Sequence, residues 1–534
     1  MSGTSAGTGR PHDGQHGGTG TGRPVVRGEV VTQGSVAAYH GLSLGDPERH
    51  IVRTDLVGGT RAERPRSLWH VAHLTDVQLI DAQSPSRVEA VHELGRRPET
   101  RLMLPMQRPQ ELLAAHATEM LVRRLNEHPG SAVTGAPLQA VMTTGDNIDN
   151  MQHNELVAFL RLFSGGTVDL DSGGTAYQGF QDGSVDWAWA PEDPHNRWGR
   201  EHGFPTMPGL LARSLQPLAA SGLEIPWLTC FGNHDGLIQG RVPAGPELVD
   251  ITLGHRKVTR VRAEDVADFT GDPLPAFAEL GREVTPDARR RPVDRAGYVA
   301  AHWDRGLPDG HGFTERNLAD GTAYYSHRGV EGVRLVVLDT TNPAGVFEGS
   351  IDQEQLAWLR EELRAATEAD ELVVVASHHP RSSMTNDLLP ADADDATAAR
   401  VLGEEVGELL LAHPHVVAWF SGHIHRNRVQ AHRGPDGGGY WEVSTSSIMD
   451  WPTQGRLVEL LDHGGELLSL RLTILDHTGP LRPTSVETVA DLAGWHRALA
   501  ANDPHGVGGF EAHGTPTDRN VELLLPDPRR RESL

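Results

Sequence analysis

Short apolar runs recur along this chain, and each stops abruptly at a polar cluster built from Asp, Asn, Gln or His. The runs Leu68–Leu74, Leu138–Thr143, Ile225–Phe231, Glu371–Ala376 and Val416–Phe420 end, in that order, at five clusters. These are Thr75-Asp76-Val77-Gln78, Gly145-Asp146-Asn147-Ile148-Asp149-Asn150, Gly232-Asn233-His234-Asp235, Ser377-His378-His379-Pro380 and Ser421-Gly422-His423-Ile424-His425. Runs this short and continuous read as strands buried on both faces. Helical periodicity lies between them, over about 108–126, through Leu156, Phe159, Leu160 and Phe163, from Asp352 to about Ala366, and through Leu402, Val406, Leu409 and Leu410. Strands alternating with helices predict an α/β fold with a mostly parallel sheet, whose strand C-termini carry the functional loops.

Around this rhythm the chain divides by composition. Residues 1–24 are Gly, Thr, Ser and His with almost no apolar content and read as a disordered tail, because they cannot offset the entropy of ordering. Residues 25–66 read as an N-terminal arm with an edge strand, and 67–475 as the main domain. Two insertions interrupt it, at about 165–208 and 240–320. The first carries Tyr177, Phe180, Trp187, Trp189, Trp198 and Phe204 and reads as an ordered lid. The second carries a helix-like segment from Val261 to Glu279 and the run Arg289-Arg290-Arg291, read as a solvated face. A helix is expected near 210–221, and the runs at 428–431, 440–444, 457–461 and 467–474 read as one antiparallel sheet. Residues 476–534 form a weakly patterned C-terminal extension.

The formal net charge of −24 argues against a nucleic-acid groove or an anionic membrane surface, since both call for basic patches. A phosphate substrate remains compatible, because bound divalent cations reverse the local field. The single cysteine, Cys230, excludes an intramolecular disulfide and sits in an apolar strand pattern. Lys257 is the only lysine among 48 basic residues, a skew that fits a high-GC bacterial genome. No apolar run is long enough to span a membrane, and the N-terminus lacks the features of a secretory leader. The expected location is cytoplasmic.

Two imidazoles at i and i+2, as in Gly-His-x-His, do not easily share one ion from a straight strand, but at a strand end each can serve one of two neighbouring metals. The five clusters together offer carboxylate, amide and imidazole donors without a thiolate, a set that suits Mn, Fe or Zn. One bridging carboxylate with three further ligands on each side describes a two-metal site of the kind that holds both oxygens of an in-line displacement at phosphorus.

This order of motifs resembles the calcineurin-like metallophosphoesterase superfamily over roughly residues 68–475. The resemblance implies a four-layer αββα sandwich of two mixed sheets flanked by helices. It implies one metal held by Asp76, Gln78, Asp146 and His425, and a second by Asp146, Asn233, His378 and His423, with Asp146 bridging. Gln78 stands where most members have histidine, and an oxygen donor there shifts preference towards a harder ion such as Mn. His234 is implied as the proton donor to the leaving oxygen, with Asp149 orienting it; an N-cap for the following helix is the competing role for Asp149. His379 is expected beside the metals rather than on them. The function expected is a dinuclear-metal phosphoesterase, phosphodiesterase or phosphatase, acting on a small phosphate ester through a metal-bridging hydroxide. A diphosphatase for a nucleotide-like substrate stacked on the aromatic insertion is the alternative, and a non-catalytic metal-binding member a third. Nothing in the sequence sets the oligomeric state.

Overall fold

The computed structural model describes residues 22–94, 104–261, 281–303, 309–390, 399–434 and 438–530. The tail expected over residues 1–24 lies outside them but for its last three residues. The helix expected from Val261 to Glu279 lies outside them but for its first residue.

The chain is a mixed α/β protein with two large mixed sheets. In the seven-stranded sheet, Arg66–Leu74, Ala140–Thr143 and Trp227–Thr229 are parallel neighbours at one side. In the six-stranded sheet, Val333–Val337, Leu372–Ala376 and Val416–Ser421 are parallel neighbours, with Tyr325–Val330 antiparallel at the edge. All five strands that lead into the polar clusters therefore sit inside parallel blocks. Three lie in one sheet and two in the other, and their C-terminal ends meet.

The alternation of side chains explains how the sheets pack. Along Val333–Val337, Leu335 and Val337 join the core shared with the seven-stranded sheet, whereas Val336 turns to a second core with the helix Gln353–Glu368. Trp69 of one sheet meets Phe420 of the other at 6.4 Å between ring centroids, and Trp441 Nε1 donates to Leu524 O at 3.1 Å. The helix Gln353–Glu368 forms because Leu356, Leu359, Leu363 and Ala366 repeat at helical spacing and Asp352 caps it, accepting from Gln355 N at 2.8 Å. Each such leucine contributes roughly 1.5–3 kcal/mol relative to exposure, so the strip holds the helix on the sheet. Arg334 is tolerated inside a strand because Glu362 and Glu371 pair with its guanidinium.

Four local expectations are corrected. The helix near 210–221 stops at Ser214, because Pro217 cannot continue it, and Leu218–Ala220 becomes a strand. The four late runs do not form one antiparallel sheet. Arg428–Arg433 and Gly439–Ser444 complete the six-stranded sheet, while Gln454–Asp462 and Leu467–Asp476 lie in the middle of the seven-stranded one. Period-two patterning marks a strand but does not choose its partner. Arg290 of the basic run is fully buried against Asp81 and Ser172 rather than solvated. The fourth correction concerns the aromatic insertion. Phe180 and Trp187 pack into one small core, and Trp189, Trp198 and Phe204 into another with Tyr39, Leu492 and Leu499, all at most 6% exposed. They fill cores and offer no free ring face.

The weakly patterned C-terminal stretch carries regular structure as well. Val489–Asn502 is a helix capped by Thr488 and packed on Ala114–Asn126, and Val521–Pro526 is a strand of the seven-stranded sheet, paired with Leu467–Asp476 and Ile51–Arg53.

Candidate metal centre

The clusters at the strand ends come together around Asp146. The carboxylate of Asp146 lies 3.2 Å from His378 Nε2 and 3.4 Å from Gln78 Nε2, and that of Asp76 lies 3.1 Å from His425 Nε2. Donor atoms of Asp76, Asp146 and His378 fall within 4.8 Å of one another. Gln78, Asp146, Asn233, His234, Asp149, His423 and His425 line one cavity of about 180 Å3.

Close backbone approach makes this convergence possible. A Cβ on Gly422 would overlap Thr75 Oγ1 and Asp76 Oδ2, and one on Gly232 would overlap the backbone nitrogen and Oδ1 of Asp146. The glycines that open Gly-His-x-His and Gly-Asn-His-Asp are thus demanded by the packing of one ligand loop on another. Five candidate ligands sit in the left-handed region that side chains seldom adopt: Asp76 at φ 52°, Gln78 at 44°, Asp146 at 51°, His423 at 65° and His425 at 48°. Each such residue costs on the order of 1–3 kcal/mol, and strain of this kind gathers where function requires a geometry.

In most of the donor groups the second atom is anchored, which leaves the first for a metal. Asp76 Oδ2 accepts from Thr75 Oγ1 and His423 N, leaving Oδ1 towards His425. Asn233 Nδ2 donates to Gly240 O at 3.0 Å, turning Oδ1 inward. His378 Nδ1 donates to Thr144 O at 2.8 Å, which leaves Nε2 as the nitrogen a metal takes once the ring gives up its second proton. His425 Nδ1 is bound to Asp450 Oδ2 at 2.7 Å, so the same holds there. Asp76 Oδ1, Gln78 Oε1, Asn233 Oδ1 and His378 Nε2 are all buried without a hydrogen-bond partner. Orphaned buried polar atoms are costly. Four such atoms gathered around Asp146, those of Gln78 and Asn233 on residues that line the cavity, fit divalent metal ions.

The electrostatics agree. Burial opposes ionisation of Asp146, but the imidazoles of His378 and His234 hold its carboxyl well below the usual range. Burial lowers and Asp146 raises the His378 pKa, to a net value of about 9; burial likewise opposes Asp76 at His425, which reaches about 10. His423 is pushed well below its ordinary value by burial and by His379 and His378, so its ring is neutral with a lone pair to give.

His379 lies within ligand distance of His378 and His423. Its ring is already committed: Nε2 donates to Phe347 O at 2.9 Å and Nδ1 pairs with Thr340 Oγ1 at 2.7 Å. No lone pair remains for a metal, in line with the place expected for it. His234 is one-fifth exposed at the cavity wall. Its Nδ1 faces Asp149, 2.9 Å from the carbonyl and 3.2 Å from Oδ1, and its Nε2 lies 3.8 Å from Asp146 Oδ2. Burial lowers its pKa, but Asp146 and Asp149 outweigh that and raise it. Asp149 does not cap the following helix, whose N-cap is Gln152; its side chain faces His234.

Two residues of the site went unread in the sequence. Asp450 orients His425 and is itself held by Arg108 Nε at 2.8 Å and Gln110 Nε2 at 3.1 Å. Arg241 lines the cavity with its guanidinium 4.7 Å over the ring of Phe347, whose ring also packs near-parallel to His423 at 6.3 Å. Ser-Ser-Ile-Met-Asp carries no motif, and only the return of the chain from Ser444 to Gln454 past the strand ends brings Asp450 to the site.

Among the described residues, no helix is long and apolar enough to cross a membrane. No curated protein matches the chain. A solved structure, titled a dimetal phosphatase from Danio rerio, is 12% identical, with 77% of this chain and 100% of its own covered at a TM-score of 0.34. The family model described as calcineurin-like phosphoesterase matches residues 201–427, a stretch that contains Asn233, His234, His378, His423 and His425. Between residues 201 and 427, therefore, the chain is similar to the calcineurin-like phosphoesterase family.

Proposed function

We propose that the protein hydrolyses a phosphate ester with two divalent metal ions, one held by Asp76, Gln78, Asp146 and His425 and the other by Asp146, Asn233, His378 and His423. The observation that carries this reading is the set of four buried polar atoms around Asp146 that no hydrogen bond satisfies. Bound there, two ions supply Lewis acidity at the phosphoryl oxygens and a water more acidic than bulk. Gln78 gives an oxygen where imidazole is common, which makes Mn the first metal to test.

The chain's own groups do the rest. His234 reaches the cavity wall with Nδ1 anchored on Asp149, which leaves Nε2 to hand a proton to the leaving oxygen. The cavity, at about 180 Å3, is smaller than the roughly 300–1,000 Å3 that encloses a whole organic ligand. It takes the phosphoryl group and leaves the ester's organic part outside; Leu104, Pro105 and Val507 are the apolar aliphatic residues of its lining. Five of the six aromatic residues of the insertion fill cores, so a base of a nucleotide-like substrate would find only Tyr177, half-buried, to stack on.

The test is turnover of bis-p-nitrophenyl phosphate and p-nitrophenyl phosphate by chelator-stripped protein, before and after Mn is added. Hydrolysis that appears only with metal is expected. Metal-independent hydrolysis, or none of any phosphate ester, overturns the reading.

A further inference from the structure

Asp149, which holds His234, is itself held from behind. Arg87 Nε donates to Asp149 Oδ2 at 3.1 Å, its Nη1 to Glu89 Oε1 at 2.8 Å and its Nη2 to Glu111 Oε2 at 3.1 Å. Lys257 closes the cluster against Glu89 at 2.9 Å and donates to Ser84 O at 2.6 Å. The five side chains are at most 2% exposed, and two cations face three carboxylates. None of Arg87, Glu89, Glu111 and Lys257 lines the cavity. Whatever the cluster does for chemistry, it does through Asp149.

A buried ion cluster gives little net stability over an apolar replacement of the same shape. What this one supplies is direction. Asp149 Oδ2 sits on the guanidinium and Oδ1 lies 3.2 Å from His234 Nδ1, which Asp149 O also takes at 2.9 Å, so turning the carboxylate about its last bond breaks the guanidinium contact and leaves the ring on the carbonyl alone. The planar fork of arginine fixes such an orientation, whereas the point charge of a lysine does not.

We propose that Arg87 is a positioning residue for His234: acting through Asp149, it holds the imidazole with Nε2 towards the reacting phosphate and so sets how well the leaving oxygen is protonated. This rests on the reading of His234 as proton donor. The nearest competing role is structural, with the cluster merely tying together the segments around residues 87, 111 and 257.

The full chain carrying Arg87→Lys separates the two. With Mn bound, kcat for alkyl phosphate esters should fall about 10- to 100-fold, the usual effect of losing a group that orients a site residue. kcat for p-nitrophenyl esters should fall far less, since that leaving group needs little protonation, and KM and metal content should hold. In an Asp149→Asn background, Arg87→Lys should change the leaving-group dependence no further. In the metal-free protein, the Nδ1 proton of His234 should give a slowly exchanging, downfield NMR signal that Arg87→Lys shifts upfield, since only the bond to Asp149 O then remains. If Arg87→Lys does not fold, Arg87→Gln with Glu111→Gln removes one charge of each sign and serves the same comparison. Equal losses for both leaving-group classes, full additivity with Asp149→Asn, or an unchanged His234 signal overturns the proposal. No turnover of any ester by the wild-type protein overturns both this and the proposed function, whereas turnover with unaltered leaving-group dependence in the variant overturns this alone.

Discussion

Replacing Asp450 by asparagine should weaken one metal and spare the other. Asp450 Oδ1 takes two donors, Arg108 Nε at 2.8 Å and Gln110 Nε2 at 3.1 Å, and Oδ2 takes the ring of His425 at 2.7 Å. Asparagine has one oxygen, and the two donors keep it. Its amide NH2 then faces His425 Nδ1, which must accept, and the ring proton moves to Nε2. That is the atom 3.1 Å from Asp76 Oδ1 and the one a metal would need. Loss of such an orienting partner costs about 10- to 100-fold in affinity, or about 1.4–2.8 kcal/mol at 1.4 kcal/mol per decade. Calorimetric titration of chelator-stripped protein with Mn should show one weakened site and one of wild-type affinity. Two sites of wild-type affinity would refute the argument that the Asp450 carboxylate sets the His425 tautomer.

Three further outcomes are expected. Asp146→Asn should abolish nearly all turnover and weaken both ions together, since a neutral bridge no longer offsets two divalent charges; metal analysis and kcat check this, and wild-type values of both would contradict it. His234→Asn should keep both metals while lowering kcat by about 10²- to 10⁴-fold for alkyl esters and much less for p-nitrophenyl esters; a rate series across leaving groups reads the difference. Metal loading should release protons. His378 and His425, with pKa values raised to about 9 and 10 in the metal-free site, hold protons at neutral pH that a metal must displace, so affinity should rise with pH up to about that range. Titrations in buffers of different ionisation enthalpy measure the release, and pH-independent affinity would show that these rings do not bind the ions.

The positions of the nine candidate residues were legible because each follows an apolar strand, and three of the five clusters carry a glycine that marks a tight backbone approach. Gly232 and Gly422 are glycine for packing reasons that the motif itself encodes. The β-strand and helix order was legible for the same reason, since the periodicities switch where the chain does. Asp450 and Arg87 were not, because their roles come from tertiary neighbours 25 and 62 residues away in sequence and from charges that could as well have been solvated. The aromatic insertion misled because Trp189 and Trp198 look the same in sequence whether they stack on a ligand or fill a core against Leu492 and Leu499. The pairing of the late strands turned on which sheet had room, and alternation alone does not record that.

The most direct test of the two-metal reading is an anomalous difference map from crystals of the Mn-loaded protein, collected at a wavelength where manganese scatters. Two peaks about 3.5–4 Å apart are expected on either side of Asp146, one among Asp76, Gln78 and His425, the other among Asn233, His378 and His423. A map with no peak beside Asp146, or with its peaks on residues other than these, would contradict it.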